Sequence, residues 1–289
     1  MNTTQVAIIG AGPAGLCLAR SLADLGLCVT LVERLPECAL AEPASDGREI
    51  ALTQRSITLM KQLGLWERIP SDDISPLRRA KVLNGTSSHA MHVAPHGNGD
   101  TLGALVPNHR IRQAAFEAVR EMASVTLLTE QSLDGVRADA DVAELRLSGA
   151  PPLRAELVVA ADSRFSERRR ALGIPPRMHD FGKSMLVCRI SHEVPHEDTA
   201  WEWFGHAQTL ALLPLGRDAD GRPRSSVVLT LPPQAMRAVQ ALDDEAFARD
   251  LERRFDGRLG SIDARGERHV YPLVGTYASR FIGPRFALV

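Results

Sequence analysis

Apolar and polar positions follow two rhythms along this chain, and the switches between them outline its elements. Val6 to Ile9 is an unbroken apolar run, the pattern of a strand buried on both faces. Beyond Gly15 the apolar residues take helical spacing at Leu16, Ala19, Leu22 and Ala23, until Gly26 stops them. Cys28 to Glu33 forms a second strand, which completes a β-α-β unit. Thr53 is placed to cap a helix running through Trp66, with Ile57, Met60 and Leu63 inward. Residues 71–106 break into short strand-like pieces between Gly and Pro.

A helix over about 109–123 carries Ile111, Ala114, Ala115, Ala118, Val119 and Met122 on one stripe. Val125–Leu128, Gly135–Arg137 and Ala143–Leu147 suggest a small β-meander with a turn at Asp139 to Asp141. Leu157–Ala161 is another buried strand, ending at Asp162. From 177 to 271 strands dominate, at 184–191, 200–204, 208–213 and 225–231. One helix interrupts them, capped by Asp243 or Asp244, with Phe247, Leu251 and Phe255 on one face. Arg285 to Val289 begin a further buried strand.

With 289 residues the chain is long enough for a substantial core, and a formal net charge of -1 argues against a dedicated nucleic-acid binder. No apolar run approaches the ~18 residues of a membrane span. Met1 to Gln5 carry no basic segment of a secretory signal, so a cytoplasmic chain is expected. Cys17, Cys28, Cys38 and Cys188 show no zinc or redox spacing and are expected as small buried hydrophobes in a reducing compartment.

The first chemistry lies at Gly10-x-Gly12-x-x-Gly15, between a strand and a helix. Gly10 permits the tight turn, Gly12 a close approach of the backbone to a pyrophosphate, and Gly15 close helix–strand packing. Pro13 and Ala14 complete this cofactor loop. The N–H groups at the helix start then face the anion. Glu33 ends the second strand, where a carboxylate accepts hydrogen bonds from ribose hydroxyls. The motif alone leaves FAD and NAD both open.

Two further segments bear on that choice. Ala161 to Arg169 resembles the (G/A)-D-(G/A)-x-x-S-x-x-R motif of class A flavoprotein monooxygenases, the p-hydroxybenzoate hydroxylase-like family. Asp162, Ser166 and Arg169 fall in register, while Ser163 departs from the usual Gly or Ala. Asp46-x-Arg48-x-x-Ala51-Leu52 resembles the D-x-R-x-x-A-L segment of the ubiquinone-biosynthesis hydroxylases. Leu63 to Trp66, Ala211 to Leu215 and Tyr271-Pro272-Leu273 fit the same group, and the resemblance runs from residue 5 to 289.

The resemblance implies an α/β fold: a Rossmann-like FAD-binding domain over 1–70, 107–176 and 272–289, with an antiparallel β-sheet substrate domain over 71–106 and 177–271. It implies FAD held by Gly10, Gly12, Pro13, Ala14, Gly15, Glu33, Arg34, Arg48, Arg112 and Asp162, and NAD(P)H as reductant. The expected reaction is hydroxylation by O2 of a prenylated phenol in ubiquinone biosynthesis. A peripheral position at the inner membrane or in a multi-enzyme assembly goes with such a substrate. A hydroxylase of a soluble aromatic compound and a non-catalytic, nucleotide-binding assembly subunit are the alternatives. Taken alone, Asp162 could cap a helix, Arg168 to Arg170 could be a solvated turn, and Arg48 could be a surface ion-pair partner. The family's third motif begins Gly-Asp directly after a strand patterned like Phe286 to Val289, so a chain cut short before that motif is expected.

Other motifs weigh less. His192-Glu193-x-x-His196 matches a zinc-hydrolase pattern, but that pattern needs a continuous helix and Pro195 opposes one. His89, His92 and His96 read as loop histidines beside Pro95 and Gly97. Gly182-Lys183-Ser184 lacks the earlier glycine of a phosphate loop, since Arg177 stands there. Trp201 and Trp203 share one face of a strand. A core or pocket-wall role suits them better than a flavin-halogenase signature, because Gly205 and His206 replace that signature's Ile and Pro.

Overall fold

The computed structural model describes residues 2–87, 89–95, 100–161, 176–205 and 207–289. Strand β1 (Asn2–Ile9) leads through the glycine loop into helix α1 (Pro13–Asp24) and strand β2 (Val29–Val32). A short helix α2 (Glu37–Ala41) precedes β3 (Glu49–Thr53) and α3 (Gln54–Gln62). Short strands β4 (Ser75–Leu77), β5 (Arg79–Asn84), β6 (Ala90–Val93) and β7 (Gly103–Pro107) then lead to α4 (Asn108–Arg120). Strands β8 (Val125–Leu128), β9 (Leu133–Ala138), β10 (Ala143–Leu147) and β11 (Ala150–Ala160) complete the first half.

The second half is built on four long strands, β12 (Pro176–His192), β13 (Thr199–Phe204), β14 (Thr209–Arg217) and β15 (Pro223–Leu231). Helices α5 (Pro233–Gln240) and α6 (Asp244–Arg254) follow. Strands β16 (Ile262–Asp263), β17 (Arg268–Ala278), β18 (Ile282–Gly283) and β19 (Phe286–Leu288) close the chain. No helix among the described residues is long and apolar enough to cross a membrane.

These elements form three sheets. The first has a parallel core, β19-β11-β1-β2-β8. Its central strand β1 is apolar on both faces because both are covered. Ile8, Leu31 and Val159 meet α1 and α4 through Leu16, Ala19, Ala115 and Phe116. Ala7, Ile9 and Val158 meet the inner residues of β9 and β10, among them Leu133 and Leu145. The meander therefore consists of β9, β10 and β11. Val125–Leu128, expected within it, instead runs parallel to β2 at the sheet edge, as an α-helical crossover requires.

The second sheet, β16-β12-β15-β14-β13-β5-β6 with β17 on β12, is antiparallel except where β13 pairs with β5. One face packs Leu186, Cys188, Leu212 and Leu229 against Phe247, Leu251 and Phe255. Trp201 and Trp203 point to that same side, where Trp201 stacks edge-on with Phe255, in keeping with a core role. The third sheet, β3-β7-β4, packs Ile50, Leu52 and Val106 into the first core and bonds to the second sheet through Glu49 and Ser75.

Several local expectations are corrected. The helix capped by Thr53 ends at Gln62, because Gly64 takes the left-handed conformation (φ +68°), and Trp66–Arg68 forms a separate 3-10 turn. Helix α5 was not foreseen: Pro233 starts it, but only Met236 and Val239 are buried, too few to give a clear stripe. Cys28 and Cys38 are exposed and Cys17 is half-buried, so only Cys188 behaves as the expected buried thiol. His92 lies on strand β6 rather than in a loop, and His96 and His206 lie outside the described residues.

His192 ends strand β12, so the His192–His196 motif occupies no helix. The His192 ring is fully buried; its Nδ1–H donates to Val194 O (2.8 Å) and its Nε2 accepts from Ser225 Oγ (2.9 Å). Burial pushes its pKa down from 6.5 to about 4. The folded state thus holds a neutral ring that the unfolded chain protonates. Stability from this group is complete above pH 6.5 and is lost as pH falls from there toward about 4. Replacing His192 with Gln should flatten that part of the stability profile in urea unfolding; a variant profile parallel to the wild type would contradict this.

Candidate functional site

The site begins where α1 meets β1. Gly10 has φ +105°, which an L side chain rarely adopts. A Cβ on Gly15 would stand 2.0 Å from Gly10 O, so the helix can approach the turn only through glycine. A Cβ on Gly12 would meet nothing within 4 Å, which leaves open space beside the backbone there. Gly12 is the N-cap of α1, no side chain caps the helix, Pro13 occupies its first turn and Ala14 is exposed. These uncapped N–H groups, at the positive end of the helix dipole and facing open space, suit an anion.

Glu33 is buried and holds the loop directly. Its carboxylate accepts from Ala11 N (2.8 Å) and Leu35 N (2.9 Å). Each oxygen retains acceptor capacity for a ribose hydroxyl. Arg34, the next residue, is exposed and forms no hydrogen bond or ion pair with a described residue.

Asp46 organises a second group of residues. Its carboxylate accepts from Arg48 Nε (2.9 Å), Arg48 Nη2 (2.5 Å) and Asn108 Nδ2 (2.7 Å). Burial acts to raise its pKa, but these hydrogen bonds outweigh it and hold the carboxyl below the usual range. Asn108 N also donates to Arg48 O (2.9 Å), and Tyr271 Oη donates to Asp46 O (2.6 Å). The Arg48 guanidinium lies 5.7 Å from the Tyr271 ring centre. Gly47 (φ +71°) could not be replaced without a clash, because a Cβ there would stand 2.3 Å from the His269 ring.

Topology relates the two groups. Helix α4 leads into β8, which runs parallel to β1, so α4 begins at the edge of the first sheet where the parallel strands end. The glycine loop lies at that same edge. Arg112 is half-buried one helical turn beyond Asn108, on the same side of α4, and forms no hydrogen bond or ion pair with a described residue. Asp162, with Ser166 and Arg169, lies outside the described residues; Ala161 immediately before it has its Cβ 3.4 Å from a Cβ placed on Gly15.

Glu49, which the sequence reading did not select, joins this group to the large sheet. Its carboxylate is almost wholly buried, with Oε1 accepting from Arg189 Nε (2.8 Å) and Nη2 (2.6 Å). Oε2 is buried with no partner among the described residues. Burial raises the carboxyl's pKa and Arg189 opposes that shift. Strand alternation carries the only signal for it: Glu49, Ala51 and Thr53 share the face of β3 opposite Ile50 and Leu52, which pack toward the first core. Asn108 was likewise visible only as the residue after Pro107 at a helix start.

A glycine loop that leaves the start of α1 uncapped, followed by an acidic strand end, has the form of a dinucleotide-binding unit. The chain belongs to the FAD binding domain family, whose pattern it matches over residues 3–281. It is 42% identical to the ubiquinone hydroxylase UbiM of Neisseria meningitidis, over 99% of this chain and 62% of that protein. It is 32% identical to the ubiquinone hydroxylase UbiL of Rhodospirillum rubrum, over 100% of this chain and 66% of that protein. The chain thus spans slightly under two thirds of the length of these relatives. Its fold is similar to that of pqsL, a probable FAD-dependent monooxygenase from Pseudomonas aeruginosa, with TM-score 0.80, 20% identity, and all of this chain on 78% of that one.

The second and third glycines of the loop, Gly12 and Gly15, should separate experimentally. Gly12→Ala places its methyl in open space, so the melting temperature should stay near the wild type while FAD affinity falls. Gly15→Ala meets backbone and should lower the melting temperature or prevent soluble expression. Equal thermal losses for both variants would contradict the geometry.

Proposed function

We propose that this chain is the cofactor- and substrate-binding part of an FAD-dependent hydroxylase of aromatic rings, which uses NAD(P)H and O2 and acts on a prenylated phenol of ubiquinone biosynthesis. The observation that carries the reading is the Asp46–Arg48 segment. It joins the helix edge beside the glycine loop to Tyr271 and Arg189 on the large sheet. The likeness to two ubiquinone hydroxylases supports the substrate class.

On this reading Gly12, Pro13 and Ala14 receive the pyrophosphate of FAD on the N-terminus of α1, and Glu33 receives the adenosine ribose. Arg34, Arg48, Arg112 and Asp162 complete the cofactor contacts. Bound FAD supplies hydride acceptance from NAD(P)H and the activation of O2. Asp46 holds the Arg48 guanidinium in one orientation while Tyr271 supports it from below. The pair of buried Glu49 with Arg189 fixes the spacing between β3, which follows Arg48, and the large sheet. Because the flavin brings the oxygen chemistry, the protein's task is to bind, orient and exclude water. A peripheral position at the inner membrane, where a prenylated substrate resides, belongs to the same proposal.

The test is NAD(P)H oxidation by the FAD-loaded protein, with a prenylated phenol and a soluble aromatic acid compared side by side. The prenylated phenol should stimulate oxidation and yield a product heavier by one oxygen. Stimulation only by the soluble acid would move the assignment to that substrate class. A protein that takes up FAD and oxidises NAD(P)H with neither compound would overturn the hydroxylase reading.

A further inference from the structure

The large sheet has one face covered by helices and one that is not. On β13 the odd-numbered residues Trp201 and Trp203 point to the helices, so Ala200, Glu202 and Phe204 point to the other side. Part of that side is roofed by the three-stranded sheet, through Ser75 Oγ on Gly216 N and through Glu49 on Arg189. Beyond the roof the face opens: Phe204 is 48% exposed and Met91 on β6 is 62% exposed.

Glu202 stands where the roof gives way to the open part. In register it has Ala211 on β14 to one side and Val82 on β5 to the other. Its diagonal neighbours across the strands are Thr209, Leu213, Ala80 and Asn84, none of them charged. The carboxylate is half-buried and forms no hydrogen bond or ion pair with any described residue. Burial alone pushes its pKa upward, and no neighbouring charge opposes the shift. A desolvated carboxylate without a partner is a cost to folding, which a donor from a ligand would relieve. Its neighbours are uncharged and mostly apolar (Ala80, Val82, Ala211 and Leu213, with Thr209 and Asn84), so the ligand that fits is an aromatic or aliphatic body carrying one O–H.

We propose that Glu202 accepts the phenolic O–H of the substrate and takes its proton as the ring is hydroxylated. This deepens the function proposed above and rests on it. The phenol O–H bond breaks, the proton passes to a Glu202 carboxylate oxygen, and the electron pair stays on the phenol oxygen, enriching the ring toward an electrophilic oxygen donor. The neutral Glu202 then returns the proton to water when product leaves. A raised pKa makes the carboxylate a stronger base toward the phenol.

The test uses the FAD-loaded protein, ortho-geranylphenol and its methyl ether, with Trp201 and Trp203 on the same strand as fluorescent reporters. The wild type should bind the phenol about tenfold or more tightly than the ether, the scale of one hydrogen bond to an ionised group. That preference should fade as acid protonates Glu202. Glu202→Leu should abolish the preference by weakening phenol binding while leaving the ether unchanged. It should also melt no lower than the wild type, since it removes an unpartnered carboxylate from an apolar face. Glu202→Gln keeps an acceptor, so it should retain the preference, lose its acid dependence, and slow turnover about 100-fold. A Leu variant that still prefers the phenol as the wild type does would overturn the role of Glu202 alone. If Leu does not fold, an unchanged acid dependence in the Gln variant decides against the proposal. A wild type that binds neither compound would overturn the substrate reading with it.

Discussion

The contact between Gly15 and the carbonyl of Gly10 constrains everything built around it. With 2.0 Å between that oxygen and any Cβ at Gly15, α1 sits against the end of β1 at a distance only glycine allows. That approach places the first turn of α1 over the ends of the parallel strands. It also leaves Gly12 facing open space, with the N–H groups of the helix uncapped. Glu33 reinforces the arrangement, because its carboxylate bonds Ala11 N within the loop while belonging to the end of β2. The uncapped N–H groups at this edge therefore follow from backbone geometry, and the Glu33 carboxylate stands beside them at the strand end.

A second constraint connects this edge to the large sheet. Asp46 gathers Arg48, Asn108 and Tyr271, which come from a loop, a helix start and a strand far apart in sequence. Glu49, itself buried, adds an ion pair to the half-exposed Arg189. Removing the half-exposed Arg189 guanidinium would leave the buried Glu49 carboxylate unpaired, so the pair fixes geometry more than it adds strength. Between these anchors and the open part of the sheet lies a face on which Glu202 stands among uncharged neighbours. The fold thus places an anion-binding edge and an apolar face on either side of one ordered arginine.

The β-α-β unit was legible because glycines, apolar periodicity and the terminal Glu33 all act locally, within one run of chain. The strands at 184–191, 200–204 and 225–231 were legible by alternation, and the structure extends each of them. Pairing was less so: nothing local distinguishes Val125–Leu128 as a parallel edge strand from a member of the meander, since only the helix before it dictates the crossover. The cysteine expectation failed because Cys28 and Cys38 lie at element ends, where apolar neighbours in sequence do not imply burial. Asp46 and Arg48 were singled out together by resemblance, but Asn108 and Tyr271 join them through tertiary contacts that no spacing encodes. Glu202 was hidden between two tryptophans, where the aromatic pair drew attention to the opposite face of its own strand.

The central claim is that the cofactor spans from the uncapped start of α1, past Arg48, to the helix-free face of the large sheet. A crystal structure of the protein with FAD tests it most directly. The pyrophosphate should lie beside Gly12, a ribose on Glu33, and the flavin ring between the Arg48–Tyr271 contact and the sheet face that carries Glu202. A flavin ring on the side of α5 and α6, or a pyrophosphate away from Gly12, would contradict it.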